Sequence, residues 1–390
     1  VTKFYIQTKL DEAFVDETDL FKDKFVFHEN YEPDVIYHRD MEMAEIIHFF
    51  KMIKDGRKGN LDISGPTGTG KTLIIKKVMH EFIKRLGDKK IKVVYINCSE
   101  FDTKAKIIKK LACELSNLNV SWGAGLRTID RELEKLDNVL VILDEVDKVL
   151  RKDGDSIFYI LASRGKISLI NISNVVMWRR YITDQRVTSR MQPNQILFNP
   201  YSAGELFNIL KQRAEKGLKE GAYTDEIIAT ISHKIAYSSG DMRKALDMLM
   251  RSAEYAQLMK KDRIDMECVN FVEKRQEVEV VIDFIRNLPP PKQLILVIIF
   301  DFWERYKDYP TVEEVKEEYN KLIRRSEKFR PLLLETTRVY LYELATYELV
   351  ERIGGKGLGK GKGRSPQKYK LNIDEDLFRR EIYHRLKSIN

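Results

Sequence analysis

The chain has 390 residues, 43% of them hydrophobic and 33% charged, with 68 lysines and arginines against 60 aspartates and glutamates. At roughly 150 residues per domain this length holds two or three cores and excludes a single small domain, while a net charge of +8 favours a polyanionic partner. No run reaches the ~18 to 20 apolar residues of a membrane span, and the opening VTKFYIQTKLDEAF lacks a secretory pattern, so the expected location is the cytoplasm, with the nucleoid.

In chain order, residues 1–20 read as a polar N-terminal arm. The stripe Met41, Ala44, Ile47, Phe50, Ile53 predicts a helix that ends at Gly56 and Gly59, followed by a short strand Leu61–Ser64. A helix after Gly70, a strand Val93–Asn97, a helix Lys104–Leu115, a strand Val139–Leu143 and a fourth apolar run Ile167–Ser173 continue the alternation expected of parallel βαβ units. Residues 21–200 are therefore expected to form an α/β domain. Beyond Pro200 three amphipathic segments, Leu206–Ala214, Asp225–Tyr237 and Asp241–Met259, predict a helical lid over 201–275. After a long helix from Val269 and the break at Pro289-Pro290-Pro291, helices Lys292–Tyr306, Thr311–Arg325 and Glu335–Tyr347 are followed by strands Leu349–Ile353 and Lys368–Leu371 around a Gly/Lys loop, with a last helix from Asp374. Three helices and a basic-tipped hairpin predict an α+β winged-helix domain over 276–390. Cys98, Cys113 and Cys268 have no C-x-x-C spacing and the histidines are scattered, so buried reduced thiols and no metal cage are expected.

Gly65-Pro66-Thr67-Gly68-Thr69-Gly70-Lys71-Thr72 fits G-x-x-x-x-G-K-[ST] between a predicted strand and a predicted helix. Its glycines let backbone N–H groups converge on phosphate oxygens at a helix N-terminus. Lys71 is expected on the β and γ phosphates and the Thr72 hydroxyl on magnesium. The strand VLVIL ends in Asp144-Glu145, where Asp144 suits magnesium and Glu145 suits the orientation and deprotonation of an attacking water. Asp147 reads as a solvated helix-start residue. Asn174, ending the fourth strand, suits positioning of that water, and Arg243, opening a lid helix, suits capping of the γ phosphate; taken alone, each also reads as an ordinary turn or surface residue.

Together these residues resemble the AAA+ ATPases, with GPTGTGKT as Walker A, VLVILDE as Walker B, Asn174 as sensor 1 and Arg243 as sensor 2. The likeness narrows with Tyr31-Glu32-Pro33-Asp34 and His38-Arg39, NCSEF from Asn97, LDEVDKVL from Leu143, NISN from Asn171, RVTSR from Arg186, FNPYS from Phe198 and GDMRKALDML from Gly240. These resemble the archaeal origin recognition complex/cell division control (Orc/Cdc) type replication initiators over nearly the whole chain. The resemblance implies an AAA+ P-loop domain with a parallel sheet and helical lid, followed by a winged helix, that binds ATP or ADP with Mg2+. It places Tyr31, Pro33, His38 and Arg39 around the adenine, Pro66 through Leu73 at the phosphates, and Arg190, with Arg186 as fallback, as an arginine finger offered to a neighbouring subunit. Its implied partners are double-stranded origin DNA, other initiator paralogues and an MCM-type replicative helicase. A DNA-contacting insertion is expected between Asn97 and Asp130, with Arg127 as its candidate residue.

From Arg352 to Lys370 seven basic residues and no acidic ones alternate with glycines, so Lys356, Lys360, Lys362 and Arg364 are expected to meet phosphates. The preceding helix offers Thr336, Thr337, Arg338 and Tyr342 for groove contacts, with Val339, Leu341, Leu344 and Leu349 assigned to the core. Arg324, Arg325, Lys328 and Arg330 form a second basic cluster. The function expected is an ATP-regulated, origin-binding initiator with slow hydrolysis as a switch. The alternatives are a DNA-translocating motor of the Holliday-junction branch-migration type and a nucleotide-responsive DNA-binding regulator.

Overall fold

The computed structural model describes residues 19–325, 329–354 and 366–383. The chain divides into two compact units, with the boundary between Val272 and Glu273. In the first, β1 (Asn60–Ser64), β2 (Ile91–Asn97), β3 (Asn138–Asp144), β4 (Ile167–Ser173) and β5 (Asn194–Leu197) form one parallel sheet in the order β2-β3-β4-β1-β5. β3 and β4 are buried along their whole length, as a sheet covered on both faces requires. One face, with Leu61, Ile63, Leu140, Ile142 and Ile170, packs on α1 (Asp40–Lys54) and α2 (Lys71–Lys84). The other, with Val139, Val141, Leu143 and Leu169, packs on α3 (Lys104–Ser116), α4 (Gly125–Lys135), α5 (Val146–Asp153) and α6 (Ser156–Ala162).

Two sequence expectations change here. The sheet has a fifth strand, β5, whose four residues NQIL are exposed at three positions; an edge strand so short and polar shows no apolar run. In α1 the buried residues are Ile46, Phe49, Phe50 and Ile53, whereas Met41 and Ile47 are exposed. The stripe from Met41 to Ile53 thus runs partly along the solvent side of the helix.

α7 (Gln185–Arg190) precedes β5, and three helices follow it: α8 (Ala203–Gly217), α9 (Asp225–Ser238) and α10 (Met242–Leu258). Each of these three starts on a side chain that accepts from its own first turn, from Ser202, Thr224 and Asp241 respectively, and Ser202 with Glu205 closes a full capping box. Their apolar faces meet in a separate core through Leu206, Leu210, Ile228, Ile231, Ala245 and Leu249. The unit boundary falls inside α11 (Met266–Asn287).

The second unit contains α12 (Pro290–Tyr306), α13 (Val312–Leu322), α14 (Leu334–Thr346) and the antiparallel hairpin β6 (Val350–Ile353) with β7 (Lys368–Leu371), in the register Val350↔Leu371. Pro290 starts α12 where its missing N–H costs nothing. A helical turn Glu375–Leu377 runs on as π-helix to Tyr383. This is the three-helix, one-hairpin arrangement of a winged helix. Lys328, Lys356, Lys360, Lys362 and Arg364 lie outside the described residues. Among the described residues no helix is long and apolar enough to cross a membrane.

Candidate functional site

In a parallel sheet ligands gather at the carboxyl ends of the strands, and the phosphate motif stands there, between β1 and α2. Gly68 and Gly70 take φ of +70° and +93°, a region open to glycine and strained for other residues. At Gly68 a Cβ would also lie 1.6 Å from Asp241 Oδ1. Lys71 is 4% exposed, and its ammonium donates to the carbonyls of Gly65 and Pro66, both at 2.7 Å. Burial pushes its pKa down to about 8; Asp144 opposes this and the positive charge of Arg243 adds to it. That electrostatic reach puts Arg243 in the field of Lys71.

The strand register places Asn97 beside Asp144. Asp144 is 4% exposed; its Oδ2 accepts from Thr72 Oγ1 at 2.8 Å and from the Tyr95 hydroxyl at 2.6 Å, and its Oδ1 accepts from the Glu145 backbone N–H at 2.9 Å. Burial, then the Asp144 charge, pushes the Tyr95 phenol far above its ordinary range, so it stays a donor. Glu145 caps α5 with φ +57°, and its carboxylate accepts from the Ser99 hydroxyl. Burial and the neighbouring carboxylates push the Cys98 thiol up to about 12, which leaves it inert. Among the described residues no cluster of three or more His, Cys, Asp or Glu could hold a metal alone. Thr72 and Asp144 instead form a pair of hard oxygens at 2.8 Å, a donor set that fits magnesium completed by nucleotide phosphates and water.

Asp147 is not a solvated helix start. It is 6% exposed, and its Oδ1 accepts from the Ser173 hydroxyl at 3.1 Å and the Asn174 backbone N–H at 3.2 Å. It ties the end of β4 to α5 and so fixes where Asn174 stands, one residue past the strand paired with β3.

The lid helices touch the same loop. Thr67 Oγ1 donates to Asp241 Oδ2 at 3.1 Å, the Met242 N–H donates to the Gly68 carbonyl at 3.2 Å, and Asp241 Oδ1 caps the Arg243 N–H at 2.9 Å. Arg39, 3% exposed, donates to the carbonyls of Thr69 at 3.2 Å and Asn199 at 2.7 Å and lies 4.0 Å from the Tyr201 ring centroid. Of the other residues expected around the adenine, His38 meets the Asn208 amide at 3.0 Å, the Pro33 carbonyl accepts from Lys77 at 2.6 Å, and the Tyr31 ring stacks under Arg213 at 4.3 Å. Arg190 is not brought to this cluster: it and Arg186 lie over the Tyr159 ring at 5.3 and 4.8 Å, and Arg186 also pairs with Asp184. Arg127 is exposed on α4, whose Gly125 packs so closely on α3 that a Cβ would meet Ile108 Cγ2 at 2.8 Å. Tyr95, Ser99, Tyr201 and Asp241 carried no recognisable role in the sequence, because strand register and lid packing give them theirs.

In the second unit Arg338, Val339 and Tyr342 of α14 share a groove of about 590 Å³ with Arg352, Tyr369, Pro366 and Gln367 of the hairpin and its approach. Arg352 lies 4.8 Å from the centroid of the Tyr342 ring. Three helix assignments are revised. Thr337 is fully buried, its hydroxyl donating to the Leu333 carbonyl at 3.0 Å, so it offers no groove contact. Val339 is 52% exposed and lines the groove rather than the core. Thr336 lines a different hollow, with Pro290, Pro331 and Tyr340.

Residues 54–182 match the model of an AAA domain, and residues 207–274 that of a Cdc6 AAA+ ATPase-type lid domain. An ORC1-type DNA replication protein of Desulfurococcus amylolyticus is 30% identical over 345 residues, covering 85% of this chain and 87% of that protein. One from Thermococcus kodakarensis is 28% identical over 383 residues, covering 93% and 90%. The Aeropyrum pernix ORC1 protein, solved in complex with DNA, superposes with a TM-score of 0.69 at 24% identity, over 95% of this chain and all of that one. Cdc6p from Pyrobaculum aerophilum does so at 0.57 and 21%, over 95% and 99%. The chain belongs to the ORC1-type DNA replication proteins, AAA+ replication initiators of the archaeal Orc/Cdc kind.

Proposed function

We propose that this chain binds ATP and Mg2+, recognises double-stranded origin DNA through its winged helix and AAA+ module, and uses slow hydrolysis as a switch while it helps to recruit or load an MCM-type helicase beside other initiator paralogues. The supporting observation is one chain that joins a phosphate loop, with Thr72, Asp144 and Glu145 held in place beside it, to a winged helix whose groove carries Arg338 and Arg352. In this reading Lys71 leaves the loop carbonyls for phosphate oxygens, Thr72 and Asp144 hold the metal, Glu145 takes the proton of the attacking water, and Asn174 orients that water. Magnesium, when bound, neutralises phosphate charge. The division of labour follows the segments 21–200, 201–275 and 276–390.

The lid is the coupling element. Asp241 and Met242 touch Thr67 and Gly68 directly, and Arg243 follows in the same helical turn, so loop occupancy and lid position share one set of contacts. The arginine-finger role falls to Arg190, offered from its seat on Tyr159.

The test is fluorescence anisotropy over a salt series with origin-region duplex, random duplex and four-way junctions, each with ADP and ATP. We expect preference for particular duplexes, nucleotide-dependent affinity, and a salt slope that falls by about 0.9 when either Lys360 or Lys362 is neutralised and one phosphate goes unpaired. Replacing Arg352 with alanine weakens binding further. Junction preference with DNA-stimulated turnover would assign the chain to a branch-migration motor, and equal affinity in the apo, ADP and ATP states would remove the coupling.

A further inference from the structure

We propose that Tyr95 is a positioning residue for the metal-holding carboxylate of Asp144, an inference that rests on the nucleotide and magnesium reading above. Tyr95 pairs in register with Ile142, two residues before the Asn97–Asp144 pair, so Tyr95 and Asp144 share one face of the sheet. Two strand residues span about 6.6 Å, close to the reach of a phenol lying along the strand, and the hydroxyl ends 2.6 Å from Asp144 Oδ2. The ring is held from above by α2, with the Lys76 ammonium 5.1 Å from its centroid.

A carboxylate has about four lone-pair directions, and three at Asp144 are taken: Oδ2 by Thr72 and Tyr95, Oδ1 by the Glu145 N–H. One direction on Oδ1 remains for a metal-bound water. Without the Tyr95 hydroxyl, Oδ2 loses one of its two anchors and the carboxylate can swing. The Thr72 and Asp144 assignments come from motif positions, whereas the part of Tyr95 follows from strand register alone.

The test compares Tyr95→Phe, which keeps the ring packing, with the wild-type chain. ADP affinity is measured by calorimetry in EDTA, Mn2+ affinity of the ADP complex by electron paramagnetic resonance, and hydrolysis across Mg2+ concentrations. We expect unchanged ADP affinity in EDTA, Mn2+ affinity lowered about tenfold or more, and hydrolysis restored by excess Mg2+. Unchanged Mn2+ affinity overturns the proposal, as does an equal loss of ADP affinity in EDTA, which would make Tyr95 a packing residue. If the wild-type ADP complex itself takes up no Mn2+, the metal reading fails and the proposal falls with it.

Discussion

Replacing Lys71 with alanine is expected to weaken ATP and ADP binding by about a hundredfold or more, measured by calorimetry. A hydrogen bond to a charged group is worth about 1.5–3 kcal/mol, and a lysine that meets two phosphates loses two of them, with about 1.4 kcal/mol for each factor of ten. In the structure this ammonium is already buried and satisfied by the carbonyls of Gly65 and Pro66, so its gain from phosphate is a net exchange and not a free addition. The same exchange makes binding pH-dependent with a definite sign. Burial holds the Lys71 pKa down at about 8 while the carbonyls are its partners, and phosphate raises it. Below that pH the lysine is charged in both states and contributes no pH dependence. Above it, binding takes up a proton and affinity falls as pH rises, by up to about tenfold per unit. Calorimetry in buffers of different ionisation enthalpy should show proton uptake near pH 9 in the wild-type chain and none from this source in the alanine variant. Unchanged nucleotide affinity in that variant would detach the loop from nucleotide altogether.

The contrast between what the sequence disclosed and what it hid has a physical pattern. GPTGTGKT and VLVILDE were legible because their geometry is local: consecutive backbone groups turn into a helix N-terminus, and a buried strand delivers its terminal carboxylates to one edge. The winged helix was legible from helix periodicity and the alternating Gly/Lys loop. Contacts that depend on how elements meet were hidden. Asp147 reads as a surface residue until β4 brings Ser173 and Asn174 against it. Asp241 carries no role legible in the sequence, yet its carboxylate both caps its own helix and accepts from Thr67 across the loop. On α14 the faces of Arg338, Tyr342, Leu341 and Leu344 were legible, and Thr337 and Val339 exchanged places. Thr337, Leu341 and Leu344 are buried, while Arg338, Val339 and Tyr342 face outward. A threonine whose hydroxyl bonds back to its own helix buries without cost to its polar group, and the valine takes the outward position where composition alone would put the threonine.

Replacing Glu145 with glutamine is expected to reduce hydrolysis by about 10² to 10⁴-fold, the usual worth of a positioned general base, while leaving ATP affinity nearly intact. The carboxylate is held by the Ser99 hydroxyl and not by the phosphate loop. A glutamine can still accept that hydrogen bond through its amide oxygen, so geometry persists and only the proton acceptor is lost. Single-turnover hydrolysis measured beside ATP binding separates the two quantities. Ser99→Ala should do the reverse, keeping the base and loosening its aim, with a smaller loss of rate. Undiminished turnover in the glutamine variant would move the base elsewhere, and the geometry limits where. Asp147 is occupied by Ser173 and Asn174, and Asp144 by Thr72, Tyr95 and the Glu145 N–H. Of the three carboxylates in Asp144-Glu145-Val146-Asp147, Glu145 alone is half-exposed and held by one hydroxyl, and so free to take a proton from water. The glutamine variant should also persist in its ATP-bound form, and any dependence of DNA affinity on nucleotide state should then appear as a fixed affinity that no longer drifts with time after ATP is added.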